Sequence, residues 1–189
     1  MTLTAALIAG GESRRMGAEK ALLPWDGKPL WQRQLETLRH LSPQHLIISA
    51  REAPAWCPPE MEVILDSPLA RGPMAGLIAV LEQVKTTHVV ILAVDMPHMT
   101  TEHLRKLVSI ARPGCGVIPV CDDSMEPFGA VYPVEAIHVV RTNLPRNFSL
   151  NRLNETLIKD GWMREFPVDE SDRTLYHNVN SPADIPAGR

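Results

Sequence analysis

No stretch of this sequence approaches the roughly 20 consecutive apolar residues that a membrane-spanning helix requires. The amino terminus also lacks a basic region ahead of its apolar run, which soon meets Arg14 and Arg15, so no secretory signal is read and a cytoplasmic location is expected. Cysteine is scarce. Cys57, Cys115 and Cys121 are an odd number without metal-ligand spacing, which argues against a disulfide framework or a zinc site and for a reducing compartment. Charge of one sign is also lacking: the net charge of −3 gives no support to a nucleic-acid surface. Two nucleotide motifs are missing as well. No G-x-G-x-x-G occurs, and a Walker loop fails because Lys20 is followed by Ala21. Among the seven histidines there is no H-x-x-x-H spacing and no readable pairing with an acid. Repeats, linkers and low-complexity segments are absent.

What the sequence has is an organising stretch from Leu3 to Lys20, L-T-A-A-L-I-A-G-G-E-S-R-R-M-G-A-E-K. A small-residue apolar run stops at Gly10 and Gly11, and Arg14, Arg15, Gly17 and Lys20 follow. Paired glycines let backbone amides approach an anion closely. Arginine adds a planar fork for phosphate oxygens and lysine a movable point charge. The stretch reads as a buried strand feeding a triphosphate cradle. The plainer alternative is a surface loop with glycines for turning and arginines for solubility.

The rest of the chain supplies alternating strands and helices. Asp26-Gly27-Lys28-Pro29 marks a turn, and the leucine spacing predicts a helix from Pro29 to Leu41. His45 to Ala50 and Met61 to Asp66 read as buried strands, separated by a proline-rich loop. Ser67 to Gly76 enters a helix whose stripe is Leu77, Ile78, Leu81 and Val84. Val89 to Val94 is nearly all aliphatic, as a parallel strand covered on both faces requires. Thr100 or Thr101 can cap the next helix. Gly116 to Cys121 and Phe128 to Tyr132 read as strands that pair antiparallel across the Asp122-Asp123-Ser124 turn. Leu150, Leu153, Leu157 and Ile158 mark a last helix ended by Gly161, and Asp169-Glu170-Ser171-Asp172 reads as a solvated loop. At 189 residues the chain is read as one domain, 1–189. The order predicts an α/β, Rossmann-like, doubly wound and mostly parallel sheet with a short antiparallel part, binding its ligand beyond the carboxyl ends of the strands. Gly10, Asp66 and Asp95 all fall at such ends.

Asp95 follows the most hydrophobic strand, where an unpaired carboxylate is costly without a positive companion. A magnesium ion suits it, because magnesium takes hard oxygen ligands from one or two carboxylates and from phosphates. A helix cap or a salt bridge is the alternative. Gly72-Pro73 starts a helix whether or not it has a further role.

Ile8-Ala9-Gly10-Gly11-Glu12-Ser13-Arg14-Arg15-Met16-Gly17, closed by Lys20, resembles the signature of nucleotidyltransferases that activate a phosphorylated acceptor. Its second glycine resembles the molybdenum cofactor guanylyltransferase branch of the MobA-like family. Four further segments are similar to that family's motifs: Leu92 to Pro97, its magnesium motif; Asp66 with Gly72 to Gly76; Glu126 to Tyr132; and Asn178 to Asp184. The resemblance implies a nucleotide-diphospho-sugar transferase type of fold. It also implies transfer of GMP from GTP, with Mg2+, to the phosphate of molybdopterin cofactor, with release of pyrophosphate. It assigns Arg15, Lys20 and Asp95 to catalysis, Asp95 also to the metal, and Ile8, Ala9, Gly10, Gly11, Lys20, Asp66 and Asp95 to the nucleotide. Gly76, Pro127, Asn178 and Asn180 fall on the acceptor side, and transient contact with proteins that supply or receive the cofactor is a further expectation. One departure matters: the family's Asn after the second strand is missing, because Ala50 is followed directly by Arg51. Transfer of another nucleotide such as CMP, another phosphorylated acceptor, or a non-catalytic nucleotide-binding role are the alternatives.

Overall fold

The structure is a computed structural model, and it describes residues 1–10, 19–143, 149–179 and 184. The first strand, β1 (Leu3–Ile8), is an aliphatic run buried on both faces. A small hairpin, β2 (Pro24–Trp25) and β3 (Lys28–Pro29), turns through Asp26 and Gly27, both at positive φ, and feeds α1 (Leu30–Arg39). Then come β4 (His45–Ala50), β5 (Glu62–Leu65) and α2 (Pro73–Gln83). Gly72 precedes α2 with φ 62°, a conformation easy for glycine, and Pro73 presets the first helical φ. β6 (His88–Ala93) leads to α3 (Thr101–Ile110), whose first turn is capped by the Thr100 hydroxyl accepting from the His103 amide. The chain continues through β7 (Gly116–Cys121), β8 (Ser124–Met125), β9 (Gly129–Pro133), α4 (Ala136–Asn143), α5 (Leu150–Lys159) and β10 (Met163–Pro167). A 3-10 helix, Glu170–Tyr176, closes the described succession of elements.

Apart from the β2–β3 hairpin, which is a separate two-stranded sheet, the strands of the described residues form one eight-stranded sheet in the order β5, β4, β1, β6, β9, β7, β10, with β8 paired to β7. The β1–β4, β1–β6, β4–β5 and β7–β10 pairs are parallel, and β9 runs against both of its neighbours. Because successive strand side chains point to opposite faces, each face carries its own core. On one, Ala6, Ile8, Ile91 and Tyr132 pack under Leu77 and Ile78 of α2, Ile137 of α4 and Leu153 of α5. On the other, Ala5, Leu7, Val90 and Leu92 pack under Leu35 and Leu38 of α1 and Leu104 and Leu107 of α3. Helices therefore cover both faces, as a doubly wound sheet requires, and each fully buried Leu or Ile contributes about 1.5–3 kcal/mol.

Several expectations change in detail. The strand expected at Phe128 to Tyr132 does pair antiparallel with β7, at Val117 and Val131, but its long partner is β6, so it separates the two parallel blocks. β10 and α4 were not expected from the sequence. The acidic run is not an open loop: Glu170 to Asp172 belong to the 3-10 helix. The reading that no histidine pairs with an acid is corrected too. The buried His103 ring lies 3.4 Å from Asp172 Oδ2 through Nδ1 and 2.6 Å from the Tyr176 hydroxyl through Nε2. Among the described residues, no helix is long and apolar enough to cross a membrane.

Candidate active site

Register fixes where the strand ends fall. Ile8 is opposite both Ser49 and Ala93 in the parallel ladders, and Ala50 is opposite Leu65. The ladder continues one step further, with the Ala9 amide donating to Ser49 O, Val94 N to Ile8 O and Asp66 N to Ala50 O. Gly10, Asp66 and Asp95 therefore emerge side by side on one rim, beyond the carboxyl ends of the sheet.

Over this rim lies a cavity of about 280 Å3 lined by Ile8, Ala9, Gly10, Glu19, Lys20, Asp95, Glu126, Phe128 and Asn178 among others. Lys20, which opens a short 3-10 turn, donates from Nζ to Asp95 Oδ2 at 2.8 Å, and each side chain is 21% exposed. The positive companion of Asp95 among the described residues is thus an ammonium group, the salt-bridge alternative to the magnesium expected from sequence. Asp95 does not cap α3, since Thr100 does so. Glu19, just before Lys20, accepts from the Trp56 indole Nε1 at 2.5 Å, and Trp56 stacks on Trp31 with ring centroids 5.2 Å apart. The segment entering the cavity is thereby fastened to the loop after β4.

The cavity suits magnesium. That ion takes one or two carboxylates together with phosphate oxygens and water, not a cage made by protein alone. Among the described residues no cluster of three or more His, Cys, Asp or Glu could hold a metal, whereas Asp95 offers a hard oxygen donor at the cavity wall. Glu126 is a second carboxylate there. Burial pushes its carboxyl above the ordinary value, so a cation brought alongside would be favourable.

Asp66 approaches Gly10 closely. A Cβ on Gly10 would meet Asp66 Oδ2 at 2.9 Å, and a Cβ on Gly76 would meet Ser49 Oγ at 3.1 Å and Asp66 Oδ1 at 3.3 Å. The Ser49 hydroxyl also donates to Asp66 Oδ1 at 3.4 Å. Two glycines and a serine thus make room for one carboxylate, which burial pushes upward in pKa against the opposing effects of Ser49 and Arg51. Gly76, read as acceptor-side in sequence, is placed here beside Asp66.

The carboxyl-terminal segment returns to the same rim. Val179 N donates to Asp95 O at 2.8 Å, which brings Asn178 into the cavity wall. The Pro127 carbonyl accepts from the Tyr132 hydroxyl at 3.2 Å, and Pro127's neighbours Glu126 and Phe128 line the cavity. Gly11, Arg15 and Asn180 lie outside the described residues. Glu19, Glu126 and Phe128 were not singled out as site residues from sequence. Glu126 and Phe128 flank the predicted Pro127, and that adjacency was the available signal.

Residues 5–157 match the MobA-like NTP transferase domain. A probable molybdenum cofactor guanylyltransferase of Opitutus terrae is 33% identical over 186 residues, covering 96% of this chain and 92% of that protein. A molybdenum cofactor guanylyltransferase of Xanthomonas euvesicatoria is 31% identical over 188 residues, covering 95% of this chain and 90% of its own length. Among solved structures, molybdopterin-guanine dinucleotide biosynthesis protein A of Archaeoglobus fulgidus superposes with a TM-score of 0.73 at 25% identity, over 96% of this chain and 94% of that one. With a family match over most of its length and relatives aligned nearly end to end, the chain belongs to the MobA-like NTP transferase family and is a nucleotidyltransferase.

Proposed function

We propose that the chain, acting as one domain, transfers GMP from GTP to the terminal phosphate of molybdopterin cofactor with magnesium and releases pyrophosphate. The observation that carries the reading is the Lys20–Asp95 pair, 2.8 Å apart in a cavity at the carboxyl rim of the sheet that Gly10 also lines. The guanylyl and molybdenum cofactor parts draw on the names of the relatives.

In this reading the backbone of Ile8, Ala9, Gly10 and Gly11 cradles the triphosphate, and Arg15 holds its β- and γ-phosphates. Lys20 leaves Asp95 to meet the α-phosphate, where negative charge builds as the bonds exchange. Bound through Asp95, magnesium supplies charge neutralisation that makes pyrophosphate a better leaving group. An oxygen of the acceptor phosphate attacks the α-phosphorus while the bond to the bridging oxygen breaks, and that oxygen departs with its electron pair on pyrophosphate. The attacking phosphate is already ionised, so no general base is needed, and the chain's work is orientation and charge stabilisation. Asp66 belongs to the nucleotide site. Gly76 lies beside Asp66, while Pro127, Asn178 and Asn180 fall to the acceptor side, with Asn178 next to Val179, whose amide donates to Asp95 O.

The net charge of −3 gives no support to a nucleic-acid surface, and a small anionic substrate would have to be held by local groups at the rim. The reaction is placed in the cytoplasm, away from the membrane, with transient contacts to proteins that supply or receive the cofactor. Incubating the protein with magnesium, molybdopterin cofactor and each of GTP, ATP and CTP, and measuring pyrophosphate, tests the reading. GTP should be preferred, though by a reduced margin, because Arg51 stands where the family's base-contacting Asn is expected. A clear preference for CTP would sink the guanylyl assignment.

A further inference from the structure

Beyond Val94 the β6 ladder ends, and the three peptide carbonyls that follow are held one by one from outside the sheet. Asp95 O accepts from Val179 N at 2.8 Å, Met96 O from Gln34 Nε2 as well as from Met99 N at 3.1 Å, and Pro97 O from Arg33 Nε at 2.7 Å. Two of these donors are consecutive residues of α1. Gln34 lies on the buried face of that helix beside Leu35 and Leu38 and is wholly buried.

That amide is hard to explain as packing. Desolvating a side-chain amide is unfavourable unless its groups are hydrogen-bonded, and Gln34 Oε1 has no partner among the described residues. An apolar side chain of the same length would fill the space without an orphan oxygen. The amide is therefore explained by its one directed bond, to the carbonyl of Met96, the residue after Asp95. Arg33 reaches the next carbonyl through Nε while its Nη1 lies 3.7 Å from Asp26 Oδ2, so its guanidinium is restrained on two sides.

We infer that Gln34 and Arg33 are positioning residues for nucleotidyl transfer: they fix the peptides of the Asp95–Pro97 turn, and through them the direction of the Asp95 carboxylate toward Lys20 and the cavity. The inference rests on the proposed metal role of Asp95. It touches neither substrate nor metal directly, and it predicts that loosening the turn weakens metal binding more than nucleotide binding. A displacement of about 1 Å at such a site lowers rate by up to about 10²-fold.

The test compares wild type with Gln34→Met, which keeps length and removes both the donor and the orphan oxygen, and with Arg33→Leu at a half-exposed position. Lys28→Ala, which breaks the surface pair between Lys28 and Glu36, controls for general loosening of α1. Mn2+ affinity is read by electron paramagnetic resonance with GTP present, alongside Tm and the magnesium dependence of pyrophosphate release. Gln34→Met should melt at or above the wild-type temperature yet bind Mn2+ about 5- to 10-fold more weakly. Arg33→Leu should shift in the same direction by less, and Lys28→Ala should not shift. Unchanged Mn2+ affinity in folded Gln34→Met and Arg33→Leu would overturn the inference alone. Should Gln34→Met not fold, Arg33→Leu decides by the same criterion. Absence of Mn2+ binding by the wild-type protein with GTP would overturn the metal reading and this inference with it.

Discussion

Lys20 and Asp95 neutralise one another in a partly shielded cavity, so removing either changes the charge seen by an incoming phosphate. Lys20→Ala should lower turnover by about 10²–10³, the typical loss on deleting one preorganised donor that stabilises transition-state charge. The Tm should stay near wild type, because Asp95 is exposed enough for water to hydrate the carboxylate left behind. Wild-type turnover in the folded variant would remove Lys20 from the mechanism. Gly10 makes a different point, since its missing side chain is what admits Asp66. Gly10→Ala puts a Cβ 2.9 Å from Asp66 Oδ2 and forces the carboxylate aside. GTP should then bind roughly tenfold more weakly, about 1.4 kcal/mol. Calorimetric titration checks this, and unchanged affinity would detach the Gly10–Asp66 contact from the nucleotide site.

At the scale of elements, the 3-10 helix Glu170–Tyr176 is held to α3 by His103, which contacts both Asp172 and Tyr176, and the chain then runs directly to Asn178. Burial lowers the pKa of His103, with Asp172 opposing. Below the ordinary value of 6.5 the unfolded chain takes up a proton that the folded ring resists, so this group's stability contribution is lost as pH falls below 6.5 toward the folded value. Asp66 and Glu126, raised by burial, act with the opposite sign, regaining stability as pH falls toward the ordinary carboxyl values. The His103 effect is isolated by comparing wild type with His103→Gln in denaturant titrations between about pH 7 and pH 5. Their stability difference should shrink as pH falls; a constant difference would contradict the assignment. Local pattern announced the aliphatic strands β1, β4 and β6 and the Thr100 cap, because each is encoded by neighbours in sequence. It did not announce β10, whose apolar pattern is interrupted by Arg164 and Glu165, nor that β9 inserts beside β6, since one buried strand offers another no local label. The pairing of His103 with Asp172 was equally hidden, because its partners are far apart in the chain.

At the scale of the molecule, a parallel register brings Gly10, Asp66 and Asp95 to one rim, and the carboxyl-terminal segment returns there through Val179. That convergence was legible in sequence because each residue terminates a strand. The Lys20–Asp95 contact and the hold of α1 on the Asp95–Pro97 turn were not, because they depend on how loops and helices close over the sheet. Binding a polyphosphate to a protein of net charge −3 depends on this local arrangement, since the global field opposes it. The central claim is metal-dependent nucleotidyl transfer at the Lys20–Asp95 rim. The most direct measurement is a magnesium titration of pyrophosphate release from GTP with molybdopterin cofactor, run on wild type and on Asp95→Asn. Asparagine keeps nearly the same volume and one acceptor oxygen but removes the charge. The account predicts that Asp95→Asn melts near wild type, retains GTP binding and loses magnesium-dependent release together with the GMP-bearing product. Wild-type release by Asp95→Asn at wild-type magnesium concentrations would contradict it.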